Sequence, residues 1–203
     1  MRIGKNIAAA FAAVALAALL ASGCAKKPPE QSKDLEFKAT LMIEDGGGKI
    51  EHTVYFDGDK QRVEMVSPGS GVFILREDKG VIWTLMPAMK IFLEGPLSAE
   101  HKNPLFFKPD EIKDYEIVGE ETVDGHPAVK ERLKMHNAGG AEIDIYRWFA
   151  TDIKWPVRAE EAGGAWKLYF RDIRLKRNDP ALFEIPEGYR KIAKRTMHVR
   201  GRG

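Results

Sequence analysis

The sequence predicts a mainly β domain: an antiparallel half-open β-barrel or strongly curved sheet of about ten strands, with few short helices. Three observations predict it. Apolar and polar residues alternate with period 2 over Leu35 to Ile43, and further strand-length runs follow as far as Leu175. Turn signals break that alternation at a spacing of roughly 8–15 residues. No helical pattern runs longer than about ten residues, and isolated helices shorter than about 12–15 residues are marginal.

The chain has 203 residues. Its start has the three-part layout of an export leader. Arg2 and Lys5 supply positive charge, Ile7 to Leu20 is an unbroken apolar run, and Ala21-Ser22-Gly23 are small. The run is shorter than the roughly 20 residues that span a bilayer. Cys24, the only cysteine, follows directly. Residues 1–23 are therefore expected to be a signal peptide and 24–34 a tether. The tether is polar and holds Pro28 and Pro29. The domain is expected over 35–189, with a basic tail over 190–203 that holds Arg190, Lys191, Lys194, Arg195, Arg200 and Arg202.

Within the domain, Leu35 to Ile43 alternates cleanly: Leu35, Phe37, Ala39, Leu41 and Ile43 share one face. Gly46-Gly47-Gly48 turns the chain into a second strand, Ile50 to Phe56. Asp57-Gly58 is a strong hairpin signal before Gln61 to Val66. Val72 to Leu75, Val81 to Met86 and Met89 to Leu93 are apolar on both faces. Antiparallel sheets usually leave one face wet, so these strands need cover on both sides from a sheet, a helix or a bound apolar ligand. Pro96, Pro104 and Pro109 exclude a long helix over 95–113, where Leu105-Phe106-Phe107 is expected to plug one end of the sheet. Further strands are expected over Tyr115 to Thr122, Ala128 to Met135, Ala141 to Phe149, Trp155 to Glu161 and Ala165 to Leu175. Asp124-Gly125, Asn137 to Gly140 and Gly163-Gly164 punctuate them. Asp179 to Phe183 reads as a short helical turn.

Composition excludes several function classes. Without Arg2 and Lys5 the 32 basic residues fall to 30, matching 30 acidic ones. A neutral mature chain is not a nucleic-acid binder by charge. The five histidines show no metal spacing. Ser32, Ser67, Ser70 and Ser98 lie in no Gly-x-Ser-x-Gly elbow. No catalytic residue, metal ligand or cofactor is expected, and the chain is not read as an enzyme.

The residues before Cys24 resemble the lipobox of bacterial lipoproteins, with Leu20 one step earlier than that pattern favours. The resemblance implies a diacylglycerol thioether and an N-acyl chain on Cys24. Two or more chains anchor a protein stably where one does so marginally. Ala25 in place of aspartate implies delivery to the outer membrane, facing the periplasm.

The stretch Val54 to Glu94 holds Asp57-Gly58, Arg62-Val63-Glu64, a Pro-Gly loop, Val81 to Pro87 and Lys90. It resembles outer-membrane lipoprotein-sorting proteins of the LolA/LolB-like type, as does Leu182 to Gly188 near the end of the domain. Within that superfamily the stretch looks like an uncharacterised lipoprotein subfamily. The resemblance implies a half-open barrel whose apolar concave face binds acyl chains or lipoproteins. Those carriers open with an amphipathic helix, which is missing here. Met65, Phe73, Trp83, Met86, Met89 and Phe92 are the expected ligand-lining residues, since methionine and aromatic side chains adapt to apolar ligands. The alternative is a non-carrier sensor or assembly accessory binding a protein partner on the same scaffold.

Replacing Cys24 with serine is expected to release the protein from membranes and to abolish incorporation of labelled palmitate. Unchanged fractionation and labelling would contradict lipidation at Cys24.

Overall fold

The computed structural model describes residues 29–66, 71–98, 114–136 and 141–193. Cys24 and Leu105-Phe106-Phe107 lie outside the described residues. The described residues form one twelve-stranded sheet that does not close among them, as expected for a half-open barrel. The strands are β1 (Glu36–Asp45), β2 (Gly48–Asp57), β3 (Lys60–Met65), β4 (Val72–Arg76), β5 (Val81–Met86), β6 (Ile91–Pro96), β7 (Asp114–Val123), β8 (His126–His136), β9 (Glu142–Ala150), β10 (Trp155–Glu161), β11 (Trp166–Leu175) and β12 (Arg190–Lys191).

Their order is β12-β6-β5-β4-β3-β2-β1-β11-β10-β9-β8-β7. Two meanders, β1 to β6 and β7 to β11, are joined edge to edge where β1 pairs antiparallel with β11. Among the described strands, only β12 runs parallel to its neighbour, β6. The sheet thus continues past Tyr189, where the sequence placed the end of the domain. Arg190 and Ile192 donate backbone N–H groups to the carbonyls of Lys90 and Phe92, both at 2.9 Å.

Local chemistry fixes the hairpins. Gly58 has φ 55°, and a Cβ there would stand 2.8 Å from the Lys33 carbonyl oxygen, so only glycine fits beneath the incoming tether. Asp124 and Gly125 both have positive φ, 50° and 84°, the pairing that a two-residue type I′ turn requires.

The sheet is curled in one half and regular in the other. Phe56 on β2 and Trp155 on β10 meet with ring centroids 4.2 Å apart. They are three strand spacings apart, about 14 Å on a flat sheet, so the sheet bends sharply toward that face. Phe37 and Phe170 complete this aromatic cluster. Bulges drive the bend. Asp172 and Ile173 of β11 oppose Ala39 alone, Val157 is extra in β10, and Val118 is extra in β7. Asp172 takes φ 54°, and the Ile173 N–H donates to Asp124 Oδ2 at 3.2 Å. The β7–β8 turn is thereby tied back onto β11. By contrast, the pairings within β1 to β6 carry no register shift.

Two cores result, on opposite faces of one sheet. The inner, concave core holds Phe37, Leu41, Phe56, Trp155, Val157 and Phe170. The outer core holds Val72, Ile74, Trp83, Leu85 and Phe92, covered by Phe183 at 0% exposure. Phe183 comes from a C-terminal strap. Its 3₁₀ turn Pro180–Phe183 starts under an Asp179 cap, where Oδ1 accepts from Ala181 N at 2.9 Å. Asn178 Nδ2 donates to the carbonyls of Phe37 and Phe56. Arg62 reaches the Leu182 carbonyl at 3.0 Å, and Arg76 the Phe183 carbonyl at 3.1 Å. Arg76, 5% exposed, also pairs with Asp78 and Glu184. Its hydrogen bond to Asp78 is the main reason that its guanidinium holds its proton more tightly than usual.

Phe183→Ala is expected to destabilise the domain by about 3–5 kcal/mol, the range for truncating a buried phenylalanine. Urea unfolding measures it. A loss below about 1 kcal/mol would contradict the role of the strap as cover for the outer core.

Candidate apolar face and its buried ion pair

Cross-strand pairs share a face, so the register sorts every side chain. On β3 to β6 the inner face holds the rows Val63–Phe73–Thr84–Leu93 and Gln61–Leu75–Ile82–Gly95, with Met86 opposite Ile91. Met65, two residues beyond Val63, extends it beside His52 of β2. Met65, Phe73, Leu75, Met86, Ile91 and Leu93 are each half-buried. None of the six packs against either described core cluster. The inner face of β3–β6 is thus apolar and set apart from the aromatic core that fills the curled half. At its boundary with β2, His52 is 8% exposed, its Nδ1 has no partner, and burial lowers its affinity for a proton.

The six expected ligand-lining residues do not form one group. Met65, Phe73 and Met86 fall on the inner face of β3–β6. Trp83 and Phe92 point the other way, into the core under the strap, where Trp83 Nε1 donates to Glu94 at 3.0 Å. Met89 ends the 3₁₀ turn Pro87–Met89 and is 62% exposed. Strand parity separates them: residues 83 and 86 differ by an odd number and cannot share a face.

The inner face continues onto the other meander. One row runs Ile43–Leu168–Ala159–Arg147–Glu131–Ile117 across β1, β11, β10, β9, β8 and β7. Two opposite charges sit in it. Arg147 and Glu131 are 1% and 0% exposed, and Arg147 Nε donates to Glu131 Oε2 at 2.6 Å. The Tyr115 hydroxyl donates to Glu131 Oε1 at 3.2 Å. Arg147 Nη1 is buried without a hydrogen-bond partner. Burial pushes the Glu131 carboxyl above the usual carboxylate range, against the pull of Arg147. Burial is also the main cause that pushes the Tyr115 phenol up, with Glu131 adding to it.

Such a pair is a poor device for stability. Desolvating two charges offsets most of their attraction, and apolar residues of similar volume stabilise as well or better. A buried unsatisfied donor adds about 1–3 kcal/mol of penalty. The pair escaped the sequence reading because acids and bases cannot be matched across strands from order alone. A signal was present: Val129, Glu131 and Leu133 keep one phase in β8, as do Ile143, Ile145, Arg147 and Phe149 in β9. A charge at an apolar phase in each of two consecutive strands marks a buried pair.

A rim cleft lined by Glu44, Asp45, Glu160, Glu161 and Trp166 is a further polar concentration. Hydrogen bonds from Tyr169 and Lys49 hold its Glu44 carboxyl at about 2. Among the described residues, no group of three or more His, Cys, Asp or Glu is placed to hold a metal ion.

Arg147→Met alone is expected to lower stability by about 3–5 kcal/mol, because it strands a buried carboxylate. The double variant Glu131→Leu/Arg147→Met is expected to recover most of that loss. The pH dependence has a definite sign. An acid whose proton is held more tightly in the fold stabilises below its unfolded value, 4.5, and that contribution is lost as pH rises through the folded value. The wild type should therefore lose stability relative to the double variant as pH rises above about 4.5. Urea unfolding across pH checks both; parallel profiles would contradict the titration of Glu131.

No protein-family model matches the chain. No curated protein matches it either. Solved structures do. The chain is similar to MucB at 14% identity, covering 76% of this chain and 58% of that one, with a TM-score of 0.54. It is similar to the MucA/MucB complex structure of Pseudomonas aeruginosa at 15% identity, covering 75% and 56%, with a TM-score of 0.54. The chain thus spans a little over half the length of these two. A LolA superfamily protein from Nitrosomonas europaea is also among the similar structures, at 11% identity, covering 76% and 92%, with a TM-score of 0.37. At these identities the likeness to the two MucB structures is one of fold alone.

Proposed function

We propose that the chain is a lipid-anchored envelope protein that binds acyl chains, or the acylated end of a lipoprotein, on the inner face of β3–β6. The observation that carries this reading is the group Met65, Phe73, Leu75, Met86, Ile91 and Leu93. These are six half-buried apolar side chains on one face, in neither core cluster. Each CH₂ buried there contributes about 0.8 kcal/mol, and the methionines adapt to chains of different length. Binding needs no covalent step, and the protein acts as carrier or acceptor rather than as an enzyme. An anchor at Cys24 would hold it on the inner leaflet of the outer membrane as a fixed acceptor.

A second reading has its own support. β7 ends the sheet, with β8 as its one paired neighbour among the described strands, and it exposes Ile117 and Val118. Its charges, Asp114, Glu116, Glu120 and Glu121, are all acidic. Such an edge suits an extended basic segment of a protein partner. MucB, one of the proteins similar in fold, has a structure in complex with MucA. Capture of one defined protein and no lipid would favour this reading.

Met86→Glu places a charge on the apolar face, whereas Met89→Glu places one on an exposed turn. In the Cys24→Ser background, Met86→Glu is expected to reduce co-purifying acyl lipid at least tenfold by mass spectrometry, and Met89→Glu less than twofold. Equal lipid loads in both variants, or an empty protein that takes up no fluorescent fatty acid, would overturn the acyl-chain reading.

A further inference from the structure

On the reading that the β7 edge docks a basic protein segment, we propose that the segment is the tail over residues 194–200 of a second copy of this chain, added to β7 as an antiparallel strand. The edge carries charge that the sheet leaves unmatched. The carboxyls of Asp114, Glu116 and Glu120 hold no hydrogen bond or ion pair among the described residues. Of the bases on β8, Arg132 pairs with Asp144 and Lys134 with Glu142, while Lys130 stands 3.7 Å from Glu121. Ile117 and Val118 are both 42% exposed. Further along the edge, Glu120, Glu121, Pro127 and Val129 line an open hollow of about 490 Å³. An exposed edge of this kind takes up an extended segment through main-chain hydrogen bonds, and the side chains set which segment fits.

Register and charge select the tail. β7 sets Ile117 opposite Glu131, Gly119 opposite Lys130 and Glu120 opposite Val129, with Val118 extra. A regular strand added outside β7 must also pass over Val118, or its faces lose phase. Laid antiparallel, the tail then sets Lys194 on Glu121, Arg195 on Glu120, Thr196 on Gly119 and Met197 on Ile117. His198 follows on Glu116, Val199 on Tyr115 and Arg200 on Asp114. Each acid meets a basic residue or the histidine, and Met197 and Val199 meet an apolar and an aromatic partner. The hollow receives the long side chains of Lys194 and Arg195. A slip of one position in either direction sets Met197 on Gly119 or Glu116 and breaks the match.

The tail of the same copy cannot take this place. Every pairing from β6 across to β7 is antiparallel, and the order makes β6 and β7 run in the same direction, as does β12 beside β6. Ile192 is still held on β6 by its bond to the Phe92 carbonyl. A tail antiparallel to β7 would have to reverse at Ala193 and cross to the opposite edge of an open sheet. Two residues span about 7 Å at most. The strand therefore comes from another copy.

Sedimentation equilibrium of the Cys24→Ser chain over a concentration series tests this. The chain is expected to self-associate. Glu120→Lys/Glu121→Lys and Lys194→Glu/Arg195→Glu, each made in that background, should weaken association at least tenfold. An equimolar mixture of the two should return to within threefold of the starting chain, because the intact tail of one finds the intact edge of the other. Amides of β7 should exchange hydrogen more slowly as association rises. Variants that associate like the starting chain, a mixture as weak as its components, or unchanged exchange in β7 would each overturn the assignment. Two labelled peptides, titrated into the Cys24→Ser chain, separate this inference from the reading beneath it: the tail sequence over 194–203, and a peptide of the same length alternating arginine and valine. Should the chain not self-associate and the tail peptide not bind, while the alternating peptide binds and Glu120→Lys/Glu121→Lys abolishes that binding, the tail is overturned and the basic-segment reading stands. No self-association and no binding of either peptide overturns both.

Discussion

The contact between Phe56 and Trp155 sets the shape of this molecule. Two rings three strands apart touch only because the sheet folds on itself between β2 and β10. Everything else in the architecture follows from that bend. A curved sheet shelters one face in the bent half and leaves the other half to find cover separately. The curled half fills its concavity with its own aromatic side chains. The flatter half cannot do so, and the chain covers the outer face of that half with a strap from its C-terminal end.

The two halves are made different by backbone detail rather than by composition. All three bulges fall in pairings that involve the second meander, β7 to β11, and each adds local twist. The β1-to-β6 meander keeps unbroken register. The inner face of its β3–β6 part is largely apolar, and adaptable methionines stand among its side chains. An ion pair in the opposite half interrupts an otherwise apolar inner row. Shape and binding chemistry thus come from one cause: a sheet that curls at one end and stays regular at the other.

Much of this was legible in the sequence. Alternation in Leu35 to Ile43 gave the buried face of β1, and Asp57-Gly58 and Asp124-Gly125 marked real hairpins. The turn at Asp179 to Phe183 was read as helical and is a 3₁₀ turn. Apolarity on both faces of Val81 to Met86 implied two-sided cover; the strap supplies it on the outer face, and composition does not say which face takes which cover. For that reason Trp83 and Phe92 were grouped with Met86 as ligand-lining residues, although the strap buries the first two. Strand parity within β5 separates Trp83 from Met86 without any structure. β12 was missed because two residues carry no periodicity, and its pairing depends on where the strap delivers the chain. Glu131 and Arg147 were missed because their partnership depends on the β8–β9 register. The same charges in phase with apolar neighbours were visible all along.

The central claim is that the inner face of β3–β6 is the surface that meets acyl chains. Photo-crosslinking tests it most directly, with a diazirine-bearing fatty acid bound to the Cys24→Ser chain and adducts mapped by peptide mass spectrometry. The account predicts adducts concentrated on Met65, Phe73, Met86 and Leu93, and none on Trp83 or Phe92. Adducts spread over the outer face, or confined to the exposed β7 edge at Ile117 and Val118, would contradict it.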